Sequence, residues 1–153
     1  MLRYDLLLLG HILATVTLVG GTLMLQLLAL LAARSPGSNE LLTVSRQASW
    51  IAPRVFLPAA AVTMATGLAL ASESGYELDQ LYLLFGFAVL VAGSAAGPLY
   101  LAPEAKRIGR LIAADGTAGP EVGTRLRRLF LVTRVELILL VLAVAGMVLK
   151  PSF

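Results

Sequence analysis

The chain contains one histidine, His11, which lies inside a long apolar stretch. Imidazole is a common axial ligand of haem iron, and it also exchanges protons near neutral pH. Met147 lies in the last apolar stretch, and a histidine paired with a methionine is an established ligand set for haem iron. We therefore take His11 and Met147 as candidate cofactor ligands and His11 as the candidate metal ligand. A purely structural, hydrogen-bonded histidine and a methionine that only fills space are the alternatives.

Further polar residues lie within apolar stretches, where polar side chains are costly and mark candidate functional positions. They are Thr15, Thr22, Gln26, Arg134 and Glu136. On a helix, the first three fall on the same side as His11, within a stripe about 60° wide. We expect this stripe to face the interior of a helix bundle. Interhelical hydrogen bonding for packing alone is the alternative to a functional role.

Arg134 and Glu136 are both close to the start of the last apolar stretch. They point about 200° apart on a helix, so they cannot share a face. Arg134 is long enough to reach back to the lipid headgroups. Glu136 is shorter, and we expect it to turn inward toward Gln26 or Arg54. A buried carboxyl group there would serve either in a proton relay or in a structural pair.

The composition indicates that lipid surrounds most of the chain. Of its 153 residues, 58% are hydrophobic and 14% are charged, whereas soluble globular proteins carry about 25% charged residues. This balance argues against a soluble enzyme and against a nucleic-acid-binding module. The chain has no cysteine, which excludes disulfides and thiolate metal sites.

Four apolar runs are long enough to cross a bilayer, which takes about 20 residues as a helix. The predicted spans cover residues 6–33, 53–72, 80–102 and 128–149. The alternating pattern of membrane barrel strands is absent, so helices are the expected spanning elements. The predicted fold is all-α: a polytopic membrane protein forming one domain over residues 1–153, with four transmembrane helices in an up-down bundle. His11 and Met147 then lie at similar depths, toward the side of the termini.

The loop charges predict the orientation. Two basic residues, Arg3 and Lys150, flank the spans on the side of the termini, and nine lie in the two loops on the other side: Arg34, Arg46, Arg54, Lys106, Arg107, Arg110, Arg125, Arg127 and Arg128. Because Lys and Arg mark the cytoplasmic face, we expect both termini outside. Residues 105–114 are expected to form a helix in the plane of the membrane surface. Its basic residues would bind anionic lipid or, alternatively, a partner protein.

Three stretches carry a resemblance to known families: GHILATVTLVGG around His11, PAAAVTMATGLAL after Arg54, and MVLKP from Met147. With these, the chain resembles a bacterial integral-membrane family of unknown function. That family is similar to the membrane part of copper-resistance protein D and to the J-type haem-dependent protoporphyrinogen oxidase. The likeness to the oxidase implies haem b with His11 as its ligand. The likeness to the copper protein implies a metal-handling site at His11 and nearby methionines, and both imply the bacterial inner membrane.

Two functions remain open from the sequence. The first is a small membrane protein that binds haem b, or takes part in membrane redox chemistry, through His11, in a bundle that orients and insulates the cofactor. The second is a non-catalytic membrane anchor or accessory subunit of a larger membrane complex. Proton or metal permeation is a third, weaker alternative. The expected partners are membrane lipid and either another membrane protein or a second copy of the chain, and no nucleic acid is expected.

Overall fold

The computed structural model describes residues 2–34, 38–75, 80–115 and 119–149, and within these ranges the regular structure is helical throughout. The α-helices are α1 (Leu2–Arg34), α2 (Ser38–Ile51), α3 (Leu57–Glu73), α4 (Leu81–Ala96), α5 (Ala102–Asp115) and α6 (Pro120–Leu149). Lys150 and the residues that follow it in the MVLKP stretch lie outside the described ranges.

Two short π-helical turns join four of these helices in pairs, so that each pair forms one continuous helical segment. Ala52–Phe56 connects α2 to α3, and Gly97–Leu101 connects α4 to α5. Each turn has a proline, Pro53 or Pro98, near its beginning. Because proline has no N–H to donate to the helix ladder, the backbone is free to shift its hydrogen-bond register there. Each turn thus joins two consecutive helices, α2 to α3 and α4 to α5, without a loop.

Four helical segments are long and apolar enough to cross a membrane: Leu2–Arg34, Leu42–Glu73, Leu81–Ala114 and Pro120–Leu149. Together with the absence of strands from the described ranges, this confirms the predicted all-α membrane fold with four spans. Large apolar side chains cover the outer surface; Leu131 and Val148, for example, are 64% and 75% exposed. Such a surface is suited to acyl chains rather than to water.

The four spanning helices pack as antiparallel neighbours. The start of α1 lies beside the end of α3, where Arg3 forms an ion pair of 2.8 Å with Glu73. Likewise, Gly86 of α4 lies against Met147 of α6, while Gly93 lies against Glu136, which is earlier in α6. Contacts between α1 and α6 and between α3 and α4 close the bundle. We call the end at Arg3 the terminal end and the opposite end the basic end.

At the basic end, α2 and α5 pack against each other and against the bundle. The apolar face of α5 presents Ile108 and Ile112, which are 1% and 2% exposed, to Ala32, Val122 and Leu126. This differs from the in-plane surface helix predicted for residues 105–114. The amphipathic pattern is the same in both cases, but here protein rather than lipid covers the apolar face.

An ion-pair cluster fixes α5 to α6. Arg125 contacts Glu104 of α5 at 2.7 Å and Glu121, one turn earlier in α6, at 2.9 Å. The guanidinium and the Glu104 carboxylate are both largely shielded from solvent. Two short charge-assisted contacts of this kind are stronger than a single exposed pair.

Candidate functional site

His11 of α1 is held by α3. Its Nδ1 atom lies 3.1 Å from the carbonyl oxygen of Thr63 and 3.1 Å from the hydroxyl oxygen of Thr66. The Thr66 hydroxyl donates its own hydrogen to the carbonyl of Val62, at 2.6 Å. The imidazole is half-buried between the two helices.

These partners determine where the imidazole carries its proton. A carbonyl oxygen can only accept, so Nδ1 must donate to Thr63. The Thr66 hydroxyl has the carbonyls of Val62, at 2.6 Å, and Thr63, at 3.3 Å, as acceptors for its own hydrogen, so its oxygen can accept from Nδ1 as well. The neutral ring therefore has its hydrogen on Nδ1 and a lone pair on Nε2. Within the described residues, Nε2 has no hydrogen-bond partner.

Gly67 makes room for the imidazole. A Cβ atom at this position would lie 3.2 Å from Cε1 of His11 and 3.9 Å from the ring of Phe87. Gly67 is one residue after Thr66, so the same turn of α3 supplies both a hydrogen-bond acceptor and the space for the ring. Phe87 brings α4 to this position as well.

Met147 lies near the end of α6, at the terminal end of the bundle like His11. Its methyl group occupies the space above Gly86 of α4, where an added Cβ atom would come within 2.6 Å of it. His11 contacts α3, whereas Met147 contacts α4, so the described contacts place the two side chains in different helix pairs.

A second feature is a cavity of about 760 Å³ in the half of the bundle nearer the basic end. Its walls are mainly apolar, and four polar side chains from α1 and α6 reach it: Thr22, Gln26, Thr133 and Glu136. Neither His11 nor Met147 lines this cavity. The structure therefore separates the polar stripe of α1 into two parts, with His11 against α3 and with Thr22 and Gln26 at the cavity.

Glu136 turns into the bundle. Its Oε1 atom would lie only 3.0 Å from a Cβ atom added to Gly93, so the missing side chain of Gly93 provides space for the carboxyl group. Gln26, which is 7% exposed, lines the same cavity. Among the described residues, no basic group lies within ion-pair distance of Glu136.

Within the described residues, neither Arg54 nor Arg134 forms an ion pair with Glu136 or lines the cavity. The Arg54 guanidinium lies 4.6 Å from the ring centre of Trp50 and donates to the Trp50 carbonyl oxygen. This is a cation–π contact, and it takes the place of the expected approach to Glu136. Arg134 is exposed on the outside of α6 and does not line the cavity.

Two threonine hydroxyls on α1 and α3, the helices that hold His11, have no hydrogen-bond partner in the described part of the chain. The hydroxyl oxygens of Thr15 and Thr63 are buried, and neither has a hydrogen-bond partner among the described residues. Thr17 in contrast is exposed and donates to the carbonyl of Leu13, one turn earlier in α1. Buried hydroxyls without partners are uncommon and often mark a site that receives water or a ligand.

Sequence reasoning did not identify Thr63, Thr66 and Gly67 as parts of the His11 site. Their spacing carried a signal, since residues three and four apart lie on one face of a helix. Two threonines and a glycine on one face of an apolar helix favour a polar contact with a neighbour. No three His, Asp or Glu side chains are grouped as a metal site within the described parts of the chain.

Comparison with known proteins gives one match. A family model described as "Predicted integral membrane protein (DUF2269)" matches residues 5–151. No curated protein matches the chain. No solved structure matches it. The family match covers all four spanning helices, and therefore His11, the cavity and Met147.

Proposed function

The chain belongs to the DUF2269 family of predicted integral membrane proteins, and we propose that it binds haem b through His11. The observation that carries this proposal is the double contact of the His11 Nδ1 atom with Thr63 and Thr66. Histidines that ligate metals almost always donate their other ring N–H to a carbonyl or a similar acceptor. The arrangement leaves Nε2 with the lone pair that an iron ligand requires.

His11 would hold the haem iron, because its imidazole is already oriented and has a nitrogen without a partner in the described part of the chain. The imidazole is oriented by α3 and is given space by Gly67. Met147 is the proposed second residue that would hold the haem, because histidine and methionine together are an established ligand pair and both residues lie toward the terminal end. Haem b, when bound, supplies one-electron redox chemistry to the site.

The residues of the chain would contribute orientation and exclusion of water. Thr63 and Thr66 fix the tautomer and the ring plane of His11, which also increases the basicity of Nε2. The apolar helices around the site keep its polarity low. Thr15 and Thr63 also have buried hydroxyls without partners among the described residues, on the same two helices as the imidazole.

Haem content tests the proposal. The protein is expressed with a sufficient supply of haem, purified in mild detergent, and its haem is extracted and measured per chain. We expect near-stoichiometric haem in the wild type and almost none in His11→Ala. Thr17→Ala is the matched control, because Thr17 lies on α1 but is exposed and bonds only within its own helix. Equal haem in wild type and His11→Ala would exclude His11 as the ligand.

A role as an accessory subunit is the second proposal, and the outer surface of α6 favours it. In the apolar 18-residue stretch of α6, only 6% of the residues are buried inside the protein. The corresponding share in the other three spans is 17% to 22%. A helix so little covered by its own chain is available to a helix of another membrane protein or of a second copy. Cross-linking in native membranes through α6 tests this role, and recovery of the monomer alone would contradict it.

The proposal includes the membrane in which the chain lies and the side on which its termini lie. We place the chain in the bacterial inner membrane, with lipid as its constant partner and with both termini outside. The basic end, with Arg46, Lys106 and Arg110 on α2 and α5, would then face the cytoplasm. His11 would lie in the outer half of the bilayer. The similarities to the copper-resistance protein and to the oxidase remain predictions.

A further inference from the structure

A small pocket lies between α2 and α5 at the basic end, separate from His11. Its volume is about 240 Å³, and three basic side chains line it: Arg46, Lys106 and Arg110. Two serines, Ser45 and Ser49, lie beside them. The Ser49 hydroxyl donates to the Arg46 carbonyl oxygen at 2.8 Å. We call this the basic pocket.

The three basic groups of the pocket have no acidic partner in the described part of the chain. The described ion pairs at this end join Glu104 and Glu121 to Arg125 instead. Three like charges around one small pocket repel each other unless an anion lies between them. The charge of the pocket therefore matches an anionic group from outside the chain.

The basic pocket is continuous with the large cavity. Five residues line both of them: Ser45, Ser49, Ala105, Lys106 and Arg110. From this shared wall the cavity extends into the bundle along mainly apolar side chains. Its volume of about 760 Å³ lies within the usual range of small-molecule sites, roughly 300–1,000 Å³. A ligand that filled both spaces would need an anionic head and an apolar chain.

The position of the pocket indicates which amphiphile this is. The π-helical turns Ala52–Phe56 and Gly97–Leu101 divide two of the long helical segments into an apolar part, α3 or α4, and a more polar part, α2 or α5. The polar parts, α2 and α5, line the basic pocket. The pocket therefore lies at headgroup depth, where basic pockets between membrane helices bind anionic lipid heads. We propose that the chain binds one anionic phospholipid here, with its phosphate in the basic pocket and one acyl chain in the cavity.

Lipid binding to the purified protein tests this proposal, independently of haem. The protein in mild detergent is titrated with phosphatidylglycerol or phosphatidylcholine, and bound lipid is counted by native mass spectrometry. We expect one tightly bound phosphatidylglycerol per chain, with an affinity at least about tenfold above that of phosphatidylcholine. Equal affinity for the two lipids would overturn the proposal.

Two charge variants locate the headgroup. Arg46→Gln combined with Arg110→Gln should weaken phosphatidylglycerol binding by about tenfold or more. The matched control is Arg127→Gln combined with Arg128→Gln, which removes the same charge from exposed residues that line neither space. The control should bind as the wild type does. Equal losses in both variants would mean that general surface charge, not this pocket, attracts the lipid.

Two glycine variants locate the acyl chain. Gly97 lines the cavity, and a Cβ atom there would meet no atom within 4 Å, so a larger side chain can begin there and Gly97→Leu should reduce the space of the cavity. Gly20 is equally open but lies away from the cavity, which makes Gly20→Leu the matched control. We expect weaker lipid binding in Gly97→Leu alone. Unchanged binding there would overturn the placement of the chain.

Inorganic phosphate distinguishes a lipid from a soluble anion. Phosphate has the charged head but no acyl chain, so in excess it should leave the bound phosphatidylglycerol in place. Complete displacement of the lipid by phosphate would show that the pocket serves a soluble anion and would overturn the proposal.

Discussion

The Nδ1 atom of His11 in α1 lies 3.1 Å from the hydroxyl oxygen of Thr66 in α3. This contact joins the single histidine of the chain to a neighbouring helix. The hydroxyl oxygen can accept from Nδ1 because backbone carbonyls of α3 accept its own hydrogen. Together with the Thr63 carbonyl, which can only accept, the contact orients the ring and favours the hydrogen on Nδ1.

Removal of the Thr66 hydroxyl should weaken haem binding without abolishing it. Thr66→Val keeps the side-chain shape but takes away one of the two acceptors of the Nδ1 proton. Loss of such a supporting contact lowers metal affinity by about 10- to 100-fold, and we expect the lower end because the Thr63 carbonyl remains. Haem titration into the purified protein measures this. Thr66→Ser retains the hydroxyl and should bind nearly as the wild type does; a loss as large as that of valine would contradict the explanation.

Met147 should set the redox potential rather than the haem content. A methionine ligand opposite histidine raises the midpoint potential of haem iron, so Met147→Leu should lower it. The exchange conserves volume, so it should cost less than about 1.5 kcal/mol of stability. Spectroelectrochemical titration gives the potential. Met64→Leu is the control, since Met64 of α3 packs against the apolar cluster of Leu18, Ala60 and Leu90. An unchanged potential in Met147→Leu would remove Met147 from the ligand set.

Two adjacent glycines of α1 should respond oppositely to alanine. A Cβ atom at Gly21 would lie 2.5 Å from the ring of Phe56, whereas one at Gly20 would meet nothing within 4 Å. Gly21→Ala should therefore destabilise the bundle by about 1–3 kcal/mol through overpacking. Gly20→Ala should change stability by less than about 1 kcal/mol, in the stabilising direction, because alanine favours the helix. Thermal unfolding in detergent compares them, and equal effects would contradict the described packing of α1 against the π-helical turn that precedes α3.

The orientation can be measured with single cysteines, because the chain has none of its own. A thiol reagent that cannot cross the membrane is added to intact cells with Arg3→Cys or Arg127→Cys. We expect labelling of the first from outside and labelling of the second only after the membrane is opened. The physical reason is the excess of basic residues at the basic end, which keeps that end in the cytoplasm. The reverse pattern would invert the proposed topology.

The sequence was sufficient to predict the four spanning helices, because a run of apolar residues about as long as the bilayer is thick has few other solutions. It also predicted that Thr22, Gln26 and Glu136 face the interior, since polar side chains avoid lipid. These three residues line the cavity.

The neighbours of α5 and of Arg54 depend on tertiary packing, and the sequence did not predict them. The amphipathic face of α5 was assigned to lipid, yet α1 and α6 cover it through Ala32, Val122 and Leu126. Arg54 was expected near Glu136, but its guanidinium lies instead over the ring of Trp50, four residues earlier in the chain. Periodicity shows which face of a helix is apolar or polar, but it does not show which neighbour covers that face.

Haem binding at His11 is best tested by the reduced-minus-oxidised visible spectrum of the purified protein. We expect the Soret and α bands of haem b in the wild type and their disappearance in His11→Ala. A colourless wild-type protein after expression with a sufficient haem supply, or bands that persist unchanged in His11→Ala, would contradict haem binding at His11.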